Sequence, residues 1–260
     1  MTNSRLIQWP RAKYWDKAWN PIIGCKPCSP ACEHCYAKAM AERFHKSFAP
    51  HASSKKLPPK NCVVFVGNMT DLFGEWRTCG EAAADIDATF GYGVIDFLTP
   101  YLFLTKRVAR MAAAIEYATK HLNKIPKWWF GNHYFGFTAE DQAYYDWRSL
   151  DFGLYPQSLK GMNIWLSAEP LLGPIDLSGS DGRADYGRLK WVVVGCESGP
   201  NRRPCKIEWV ESIVKQCKAA KVPVFVKQLS INGRCVTDIS RFPAHLRIRQ
   251  VPWKGVKNGK

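Results

Sequence analysis

Four cysteines within eleven residues carry the clearest chemistry in the sequence: Cys25, Cys28, Cys32 and Cys35. Cysteine thiolates bind zinc and iron–sulfur clusters. Pro27 and Pro30 keep the first half of this stretch from forming a regular helix. Residues 32–43, in contrast, have the pattern of a helix start. The stretch therefore predicts a proline-stiffened loop that carries the thiols into a helix, which suits a soft metal centre.

Two kinds of metal centre fit these thiols. Four thiolates with the spacing Cys-x2-Cys-x3-Cys-x2-Cys could close a tetrahedral zinc site. Zinc sites, however, usually take two pairs of ligands that lie about a dozen residues apart or more, so a single short loop is cramped for zinc. The other kind is an iron–sulfur cluster with three thiolate ligands, and Cys28, Cys32 and Cys35 have the spacing Cys-x3-Cys-x2-Cys.

The three-cysteine spacing resembles the signature of the radical S-adenosylmethionine (radical SAM) superfamily. There, three thiolates hold a [4Fe–4S] cluster, and the open iron binds the amino acid end of SAM. A phage-associated protein family of unknown function, placed near these enzymes, has a similar opening motif: Trp19-Asn20-Pro21, Gly24-Cys25, Ser29-Pro30, Cys32 and Cys35-Tyr36-Ala37. This second resemblance implies Cys25, Cys32 and Cys35 as ligands. The third ligand is thus Cys25 or Cys28, and both alternatives stay open.

The composition predicts a globular protein with a sizeable core, because 46% of the 260 residues are hydrophobic and 13% are aromatic. We expect one domain over residues 1–260, with a basic N-terminal segment (1–18) and a basic C-terminal tail (229–260). The first thirty residues contain no apolar run of signal-peptide length, and no stretch reaches the roughly 20 apolar residues of a membrane span. These features predict a cytoplasmic protein, in the host cytoplasm if a phage encodes it, without a membrane partner.

Ten cysteines in a chain without a secretion signal indicate reduced thiols and metal binding rather than disulfides. The six cysteines outside the loop are scattered along the sequence, which favours ordinary buried thiols. They are Cys62, Cys79, Cys196, Cys205, Cys217 and Cys235.

The net charge of +15 is concentrated at the two ends of the chain. Residues 1–60 hold 11 Lys and Arg against 3 acids, and residues 227–260 hold 8 against 1, whereas the middle balances at 18 against 18. Such a distribution predicts a surface that attracts a polyanion. The alternative is that the basic ends only increase the solubility of the protein. Aromatic residues lie among these charges and either stack on unpaired bases or belong to the core. They are Trp9, Tyr14, Trp15, Trp19, Phe44, Phe48, Phe242 and Trp253.

Short apolar runs alternate with helical patterns through the middle of the chain. The runs are 63–66, 101–104, 134–137, 164–166, 191–194 and 222–226. The clearest helical patterns are 81–90, 108–121 and 208–221. Runs without polar alternation indicate strands that are buried on both faces, as in parallel sheets. The alternation of strands and helices predicts an α/β fold. Residues 173–190 are rich in Gly, Ser and Asp, which predicts a surface loop.

Each of the six apolar runs is followed by polar or charged residues. In barrels and open α/β sheets, ligands bind at the carboxyl ends of the strands, so six such endings predict a polar site. The endings also resemble the phage-associated family, over residues 68–73, 104–107, 167–173, 197–200 and 227–228. The resemblance therefore spans about residues 19–227 and implies a partial (β/α)6-type barrel of the radical SAM kind.

Roles in the implied site follow from the resemblance and from residue chemistry. Tyr36 is expected near the adenine of SAM. Polar groups at the strand ends suit the hydroxyls, the amino group and the sulfonium of SAM: Asn68, Thr70, Glu140, Glu169 and Glu197. The cations Lys106, Arg107 and Lys227 suit a phosphate or carboxylate of the substrate.

The resemblance implies that SAM is cleaved reductively to a 5′-deoxyadenosyl radical, which abstracts hydrogen from a substrate, with an external electron donor. The basic ends and the phage-associated family favour a nucleic acid substrate, such as a modified base in phage DNA. One alternative is a zinc-containing nucleic-acid-binding protein without catalysis. A further alternative is a radical SAM enzyme that acts on a peptide or a small molecule.

Overall fold

A computed structural model describes residues 7–54, 57–90, 99–121, 127–154, 161–179, 189–199 and 201–253. The fold is mixed α/β with mostly parallel strands. The described α-helices are α1 Tyr36–Arg43, α2 Cys79–Ala88, α3 Val108–His121, α4 Gln142–Leu154 and α5 Ile207–Ala219. The described strands are β1 Ile7–Gln8, β2 Lys17–Trp19, β3 Ile22–Ile23, β4 His51–Ala52, β5 Val64–Val66, β6 Tyr101–Thr105, β7 His133–Thr138, β8 Asn163–Ala168, β9 Leu189–Gly195, β10 Val224–Ile231, β11 Arg234–Val236 and β12 Gln250–Val251.

The chain divides into two compact units. Unit 1 comprises the described parts of residues 1–14, 138–147 and 164–254. Unit 2 comprises the described parts of residues 15–137, 148–163 and 255–260. The long helix α4 contributes residues to both units.

In unit 2 the strands β2, β5, β6 and β7 pair in parallel in that order. β5 and β7 are buried along their whole length, and β6 between them has one half-buried position, which explains their continuous apolar sequences. α2 begins with a capping box, because Thr78 Oγ1 accepts a hydrogen bond from Glu81 N (3.2 Å) and Glu81 Oε2 accepts one from Thr78 N (2.7 Å). The short strands β3 and β4 form a separate antiparallel pair.

In unit 1 the strands β8, β9 and β10 pair in parallel, and β11 folds back on β10 as an antiparallel hairpin. α5 buries one apolar stripe of Val210, Ile213, Val214 and Cys217, at the spacing of a single helix face. An aromatic cluster fills the core of this unit: Tyr14, Trp165, Trp191 and Phe225. β1 and β12 pair in antiparallel fashion, so the two ends of the described chain lie together.

The structure confirms the six predicted strands and the three predicted helices, with ends shifted by a few residues. The mixed α/β class is confirmed, and the partial (β/α)6-type barrel stays a prediction, as does the single domain. Residues 173–179 contain no helix or strand, as the loop prediction requires. Residues 1–6 of the basic N-terminal segment, 180–188 of the predicted loop and 254–260 of the C-terminal tail lie outside the described residues.

Most aromatic residues near the charged ends belong to the core. Trp9, Tyr14, Trp19, Phe242 and Trp253 are buried, so base stacking is not open to them in this fold. Phe44, in contrast, is 61% exposed. None of the helices in the described part of the chain is long and apolar enough to cross a bilayer.

Candidate metal centre and strand-end carboxylates

The loop that carries the four cysteines begins at Gly24, which the end of β5 fixes in place. Gly24 N donates to Met69 O (3.0 Å), and Thr70 Oγ1 donates to Gly24 O (2.6 Å). Gly24 has a φ of +92°, and a Cβ atom there would lie 2.4 Å from Ala49 O. Only glycine fits this position. The backbone conformation at the start of the cysteine loop is therefore fixed.

Asn20, in the predicted Trp-Asn-Pro motif, ties the end of β2 to the segment that follows β5. Its Nδ2 donates to Asn68 Oδ1 (2.8 Å), and its Oδ1 accepts from Met69 N (3.0 Å). The hydroxyl of Tyr36, at the start of α1, donates to Asn68 O. The structure thus brings Tyr36, Asn68 and Thr70, three predicted site residues, to the cysteine loop. Each of them forms hydrogen bonds that hold this loop.

Asp71 connects the end of β5 to the end of β6. Its buried carboxylate accepts hydrogen bonds from Thr105 Oγ1 (2.7 Å), Lys106 N (3.1 Å), Arg107 Nη1 (3.1 Å) and Phe73 N (3.1 Å). A carboxylate with this many donors is firmly fixed. Asp71 therefore determines where the two cations after β6 can reach.

The cations after β6 reach the cysteine loop. Arg107 Nη1 lies 3.3 Å from Cys28 Sγ, and Arg107 Nη2 donates to Lys26 O (3.1 Å). Arg107 Nε donates to Glu75 Oε1 (2.7 Å), and Lys106 Nζ donates to Ser29 Oγ (2.7 Å). Lys106 and Arg107, predicted to bind substrate, are therefore engaged with the loop in this structure.

The thiols of the loop differ in how readily they ionise. Cys32 Sγ lies 3.5 Å from Cys28 N and 3.7 Å from Ser29 Oγ. A hydrogen bond from the Cys28 thiol, together with the nearby Lys106 charge, lowers the pKa of Cys32 to about 4. The same hydrogen bond raises the pKa of Cys28, and burial raises the pKa of Cys25 to about 11. One thiolate, at Cys32, is therefore favoured in the loop.

The donor set of the loop fits a thiolate-bound metal. Cys25, Cys28, Cys32 and Cys35 lie on one short segment, and Lys106 and Arg107 place positive charge beside it. Among the described residues, no three His, Cys, Asp or Glu side chains are positioned to hold a metal ion together. Binding a metal therefore requires these cysteine side chains to turn toward a common point.

The strand ends of unit 1 carry the three other predicted carboxylates. Glu169, after β8, forms an ion pair with Lys227 of β10 (2.5 Å), and a Cβ atom on Gly195 would lie 3.5 Å from both side chains. The second oxygen of Glu169, Oε1, is buried and has no hydrogen-bond partner. An unpaired buried carboxylate oxygen suits a ligand that donates a hydrogen bond or carries positive charge.

Glu197 and Glu140 are held differently. Glu197, after β9, accepts hydrogen bonds from Arg203 N (2.8 Å) and Arg203 Nε (3.1 Å). Glu140, after β7, is completely buried, and its backbone oxygen accepts from Leu172 N (2.8 Å). Of the carboxylates predicted for SAM, Glu169 thus offers the buried oxygen that a ligand can use.

Sequence reasoning assigned no site role to several residues that organise these regions: Ser29, Asp71, Glu75 and Arg203. A signal existed for Asp71, because it lies in the segment that follows β5, as Lys106 and Arg107 lie in the segment that follows β6. Opposite charges at neighbouring strand ends predict a contact between them. Glu75 and Arg203 lie in irregular segments, where no periodic pattern points to them.

A family model described as "Protein of unknown function (DUF5131)" matches residues 10–241, so the chain belongs to this family. No curated protein matches the chain. No solved structure matches it either.

Proposed function

We propose that this DUF5131 protein is a radical SAM enzyme whose cysteine loop holds a [4Fe–4S] cluster. One observation carries the proposal: the thiol loop is fastened to the carboxyl ends of the parallel strands β5 and β6 by Thr70, Asp71 and Arg107. This edge is where α/β proteins bind their ligands. The position of the thiols at this edge supports a catalytic role over a purely structural zinc site.

The polar surroundings of the loop favour a cluster with a bound ligand over a closed zinc site. Structural zinc uses all four of its positions for protein ligands and leaves none open for a further ligand. Here Tyr36, Asn68 and Thr70 lie within hydrogen-bonding distance of loop residues or of each other. These groups provide the amide and hydroxyl chemistry that an adenosyl or amino acid group requires.

Three loop cysteines would hold the cluster: Cys32, Cys35 and either Cys25 or Cys28. When bound, the cluster and SAM would supply reductive cleavage of SAM and a 5′-deoxyadenosyl radical that abstracts hydrogen from the substrate. Arg107 and Lys106 offset the negative charge of the thiolates, and Asp71 holds both cations in position. Tyr36, Asn68 and Thr70 would orient SAM, and Glu140, Glu169 and Glu197 stay predictions for SAM binding.

We propose a nucleic acid base as the substrate, with an external electron donor. α1 and Phe44, the residue that follows it, present three exposed side chains at helical spacing, Tyr36 (49%), Met40 (46%) and Phe44 (61%). Lys38 and Arg43 on the same helix are exposed as well. Aromatic side chains beside cations bind single strands by stacking and by charge, which is how an unpaired base would be presented.

The test is anaerobic purification and reconstitution, followed by reduction with dithionite in the presence of SAM. The expected result is iron with acid-labile sulfide and formation of 5′-deoxyadenosine. Cys25→Ala and Cys28→Ala are compared with the wild type, and the variant that loses activity identifies the third ligand. Zinc without sulfide, with SAM left intact, would overturn the proposal and favour the zinc-containing nucleic-acid-binding protein.

A further inference from the structure

Two cysteines in unit 1 lie close together although 39 positions separate them in the sequence. Cys196 Sγ and Cys235 Sγ are 3.7 Å apart. Cys196 follows β9, and Cys235 lies in the middle of β11. Neither residue belongs to the cysteine loop, which is part of unit 2.

The backbone of β10 holds both cysteines in place. Cys196 N donates to Gln228 O (3.3 Å), and Gln228 Nε2 donates back to Cys196 O (2.6 Å). Cys235 is paired with Ser230 in the antiparallel β10–β11 hairpin. Gln228 and Ser230 lie on the same strand, β10. Both cysteines are therefore held by one strand, which keeps their sulfur atoms close together.

Arg202 adds a second link between the two segments. Its Nη1 donates to Gly199 O (2.8 Å), after β9, and its Nη2 donates to Gly233 O, in the turn of the hairpin. The charges of Arg202 and Lys227 also act on Cys235 and favour its thiolate. Cations beside a partly accessible thiol are the environment of a reactive cysteine.

The two thiols differ in access. Cys196 is 2% exposed, whereas Cys235 is only partly buried. The accessible thiol can therefore react with a reagent from solvent, and the buried thiol lies within contact distance of its partner. This is the arrangement of an attacking and a resolving cysteine.

We propose that Cys196 and Cys235 form a thiol–disulfide exchange site whose substrate is a small disulfide such as glutathione disulfide. The Cys235 thiolate attacks one sulfur of the reagent, the reagent S–S bond breaks, and one glutathione leaves as a thiolate. This thiolate takes the proton of Cys196, whose sulfur then attacks Cys235. The mixed disulfide breaks, the second glutathione leaves, and the Cys196–Cys235 bond forms. Two protein thiols are oxidised, and one reagent disulfide is reduced to two thiols.

The geometry requires a small movement. A disulfide has an S–S distance of about 2.0 Å, so the two sulfur atoms must approach by about 1.7 Å from their separation of 3.7 Å. We expect rotation of the partly accessible Cys235 side chain to provide this movement.

The experiment treats the full chain with glutathione disulfide, blocks the remaining thiols and maps tryptic peptides by mass spectrometry. Cleavage at Lys and Arg separates residues 191–202, with Cys196, from residues 235–241, with Cys235. The expected product is a cross-link between these two peptides, formed at least tenfold faster than any adduct on the buried Cys217. Iron and sulfide are measured on the same sample, so this result is independent of the proposed function.

Two variants complete the test. In Cys196→Ser, the glutathione adduct should persist on Cys235 because the resolving thiol is gone. In Cys217→Ser, which removes a buried thiol elsewhere in unit 1, the cross-link should form as in the wild type. The proposal is wrong if the wild-type protein keeps a glutathione adduct on Cys235 without the cross-link, or if neither cysteine reacts.

Discussion

The cysteine loop of unit 2 and the Cys196–Cys235 pair of unit 1 present the same reactive atom in opposite settings. The loop carries four thiols close in sequence, on a short segment without strand pairing that hydrogen bonds hold at points such as Gly24 and Lys26. The pair brings together two thiols from distant parts of the sequence. Cys235 lies in the β10–β11 hairpin, and Cys196 is hydrogen-bonded to Gln228 of β10.

The difference shows which setting suits which chemistry. A metal cluster needs several thiols that can turn toward a common point, and a short loop leaves that freedom. Disulfide exchange needs two thiols held near one another on rigid backbone. We therefore expect substitutions in the loop to reduce metal binding without affecting disulfide formation. Substitutions in the pair should prevent disulfide formation without affecting metal binding.

The largest expected effect is on metal content. Cys32→Ala should reduce the iron and sulfide of the reconstituted protein to background and abolish 5′-deoxyadenosine formation, because both candidate ligand sets contain Cys32. Cys196→Ser is the matched control and should retain the iron of the wild type. Full iron content in Cys32→Ala, or its loss in Cys196→Ser, would remove the distinction between the two regions.

The next largest effect concerns the carboxylate that positions the cations of the loop. Asp71→Asn should lower the free energy of unfolding by about 3 kcal/mol, because it removes the buried negative charge beside Arg107 and leaves only the exposed Glu75 carboxylate as its anionic partner among the described contacts. Glu75→Gln is the control: the Glu75 side chain is 59% exposed, so its loss should cost less than about 1 kcal/mol. Urea denaturation measures both, and equal costs would contradict the assigned role of Asp71.

Oxidation of the pair should stabilise the fold. A disulfide between Cys196 and Cys235 restricts the unfolded chain across 39 positions. The expected gain is about 2 kcal/mol, since adjustment of the native geometry offsets part of the entropic effect. Urea midpoints of glutathione-disulfide-treated and reduced protein measure this gain. Cys235→Ser, treated in the same way, should show no shift, and a shift of the same size there would assign the gain to other cysteines.

A smaller effect is expected on nucleic acid binding. Phe44→Ala should weaken binding of a fluorescent oligothymidylate by about 1 to 2 kcal/mol through loss of stacking. Tyr117→Ala, which removes a 40% exposed aromatic from α3, should bind like the wild type. Anisotropy titrations at two salt concentrations separate stacking from charge. Equal losses in both variants would argue against α1 as the binding surface.

The smallest effect is on the titration of Cys235. The hydrogen bond from Cys196, followed by the charges of Arg202 and Lys227, lowers the pKa of Cys235. A lowered pKa keeps the thiolate present at lower pH, so alkylation of Cys235 should reach half its maximal rate at lower pH in the wild type than in Cys196→Ala. The rate of iodoacetamide labelling against pH, read on the peptide of residues 235–241, provides the comparison. Identical midpoints would mean that the two thiols do not interact.

The sequence was informative where one local pattern decides the structure. The strands β5 to β9 were predicted because their runs are continuously apolar, and α3 because its buried residues repeat at helical spacing. α4 was missed because it carries large exposed residues, Trp147 and Leu150, that blur its periodicity. The β10–β11 hairpin was missed because β10 continues through polar residues, including Lys227 and Gln228, where a strand end was expected.

Local motifs pointed to part of the cysteine-loop region, whereas the contacts between its residues could not be predicted. The four loop cysteines and Asn68 and Thr70 were identified from local motifs. The contacts that organise them join residues 46 and 49 positions apart, as in Thr70–Gly24 and Met69–Asn20. Contacts at this separation follow from strand pairing, which local sequence patterns do not specify. For the same reason, the scattered cysteines gave no indication that Cys196 meets Cys235.

The most direct test of the central claim is the electron paramagnetic resonance spectrum of the anaerobically reconstituted, reduced protein, with and without SAM. A cluster in the loop with an open iron predicts about four iron and four sulfide per chain, and a signal whose shape changes when SAM is added. Zinc in place of iron, or a cluster signal that SAM leaves unchanged, would contradict the account.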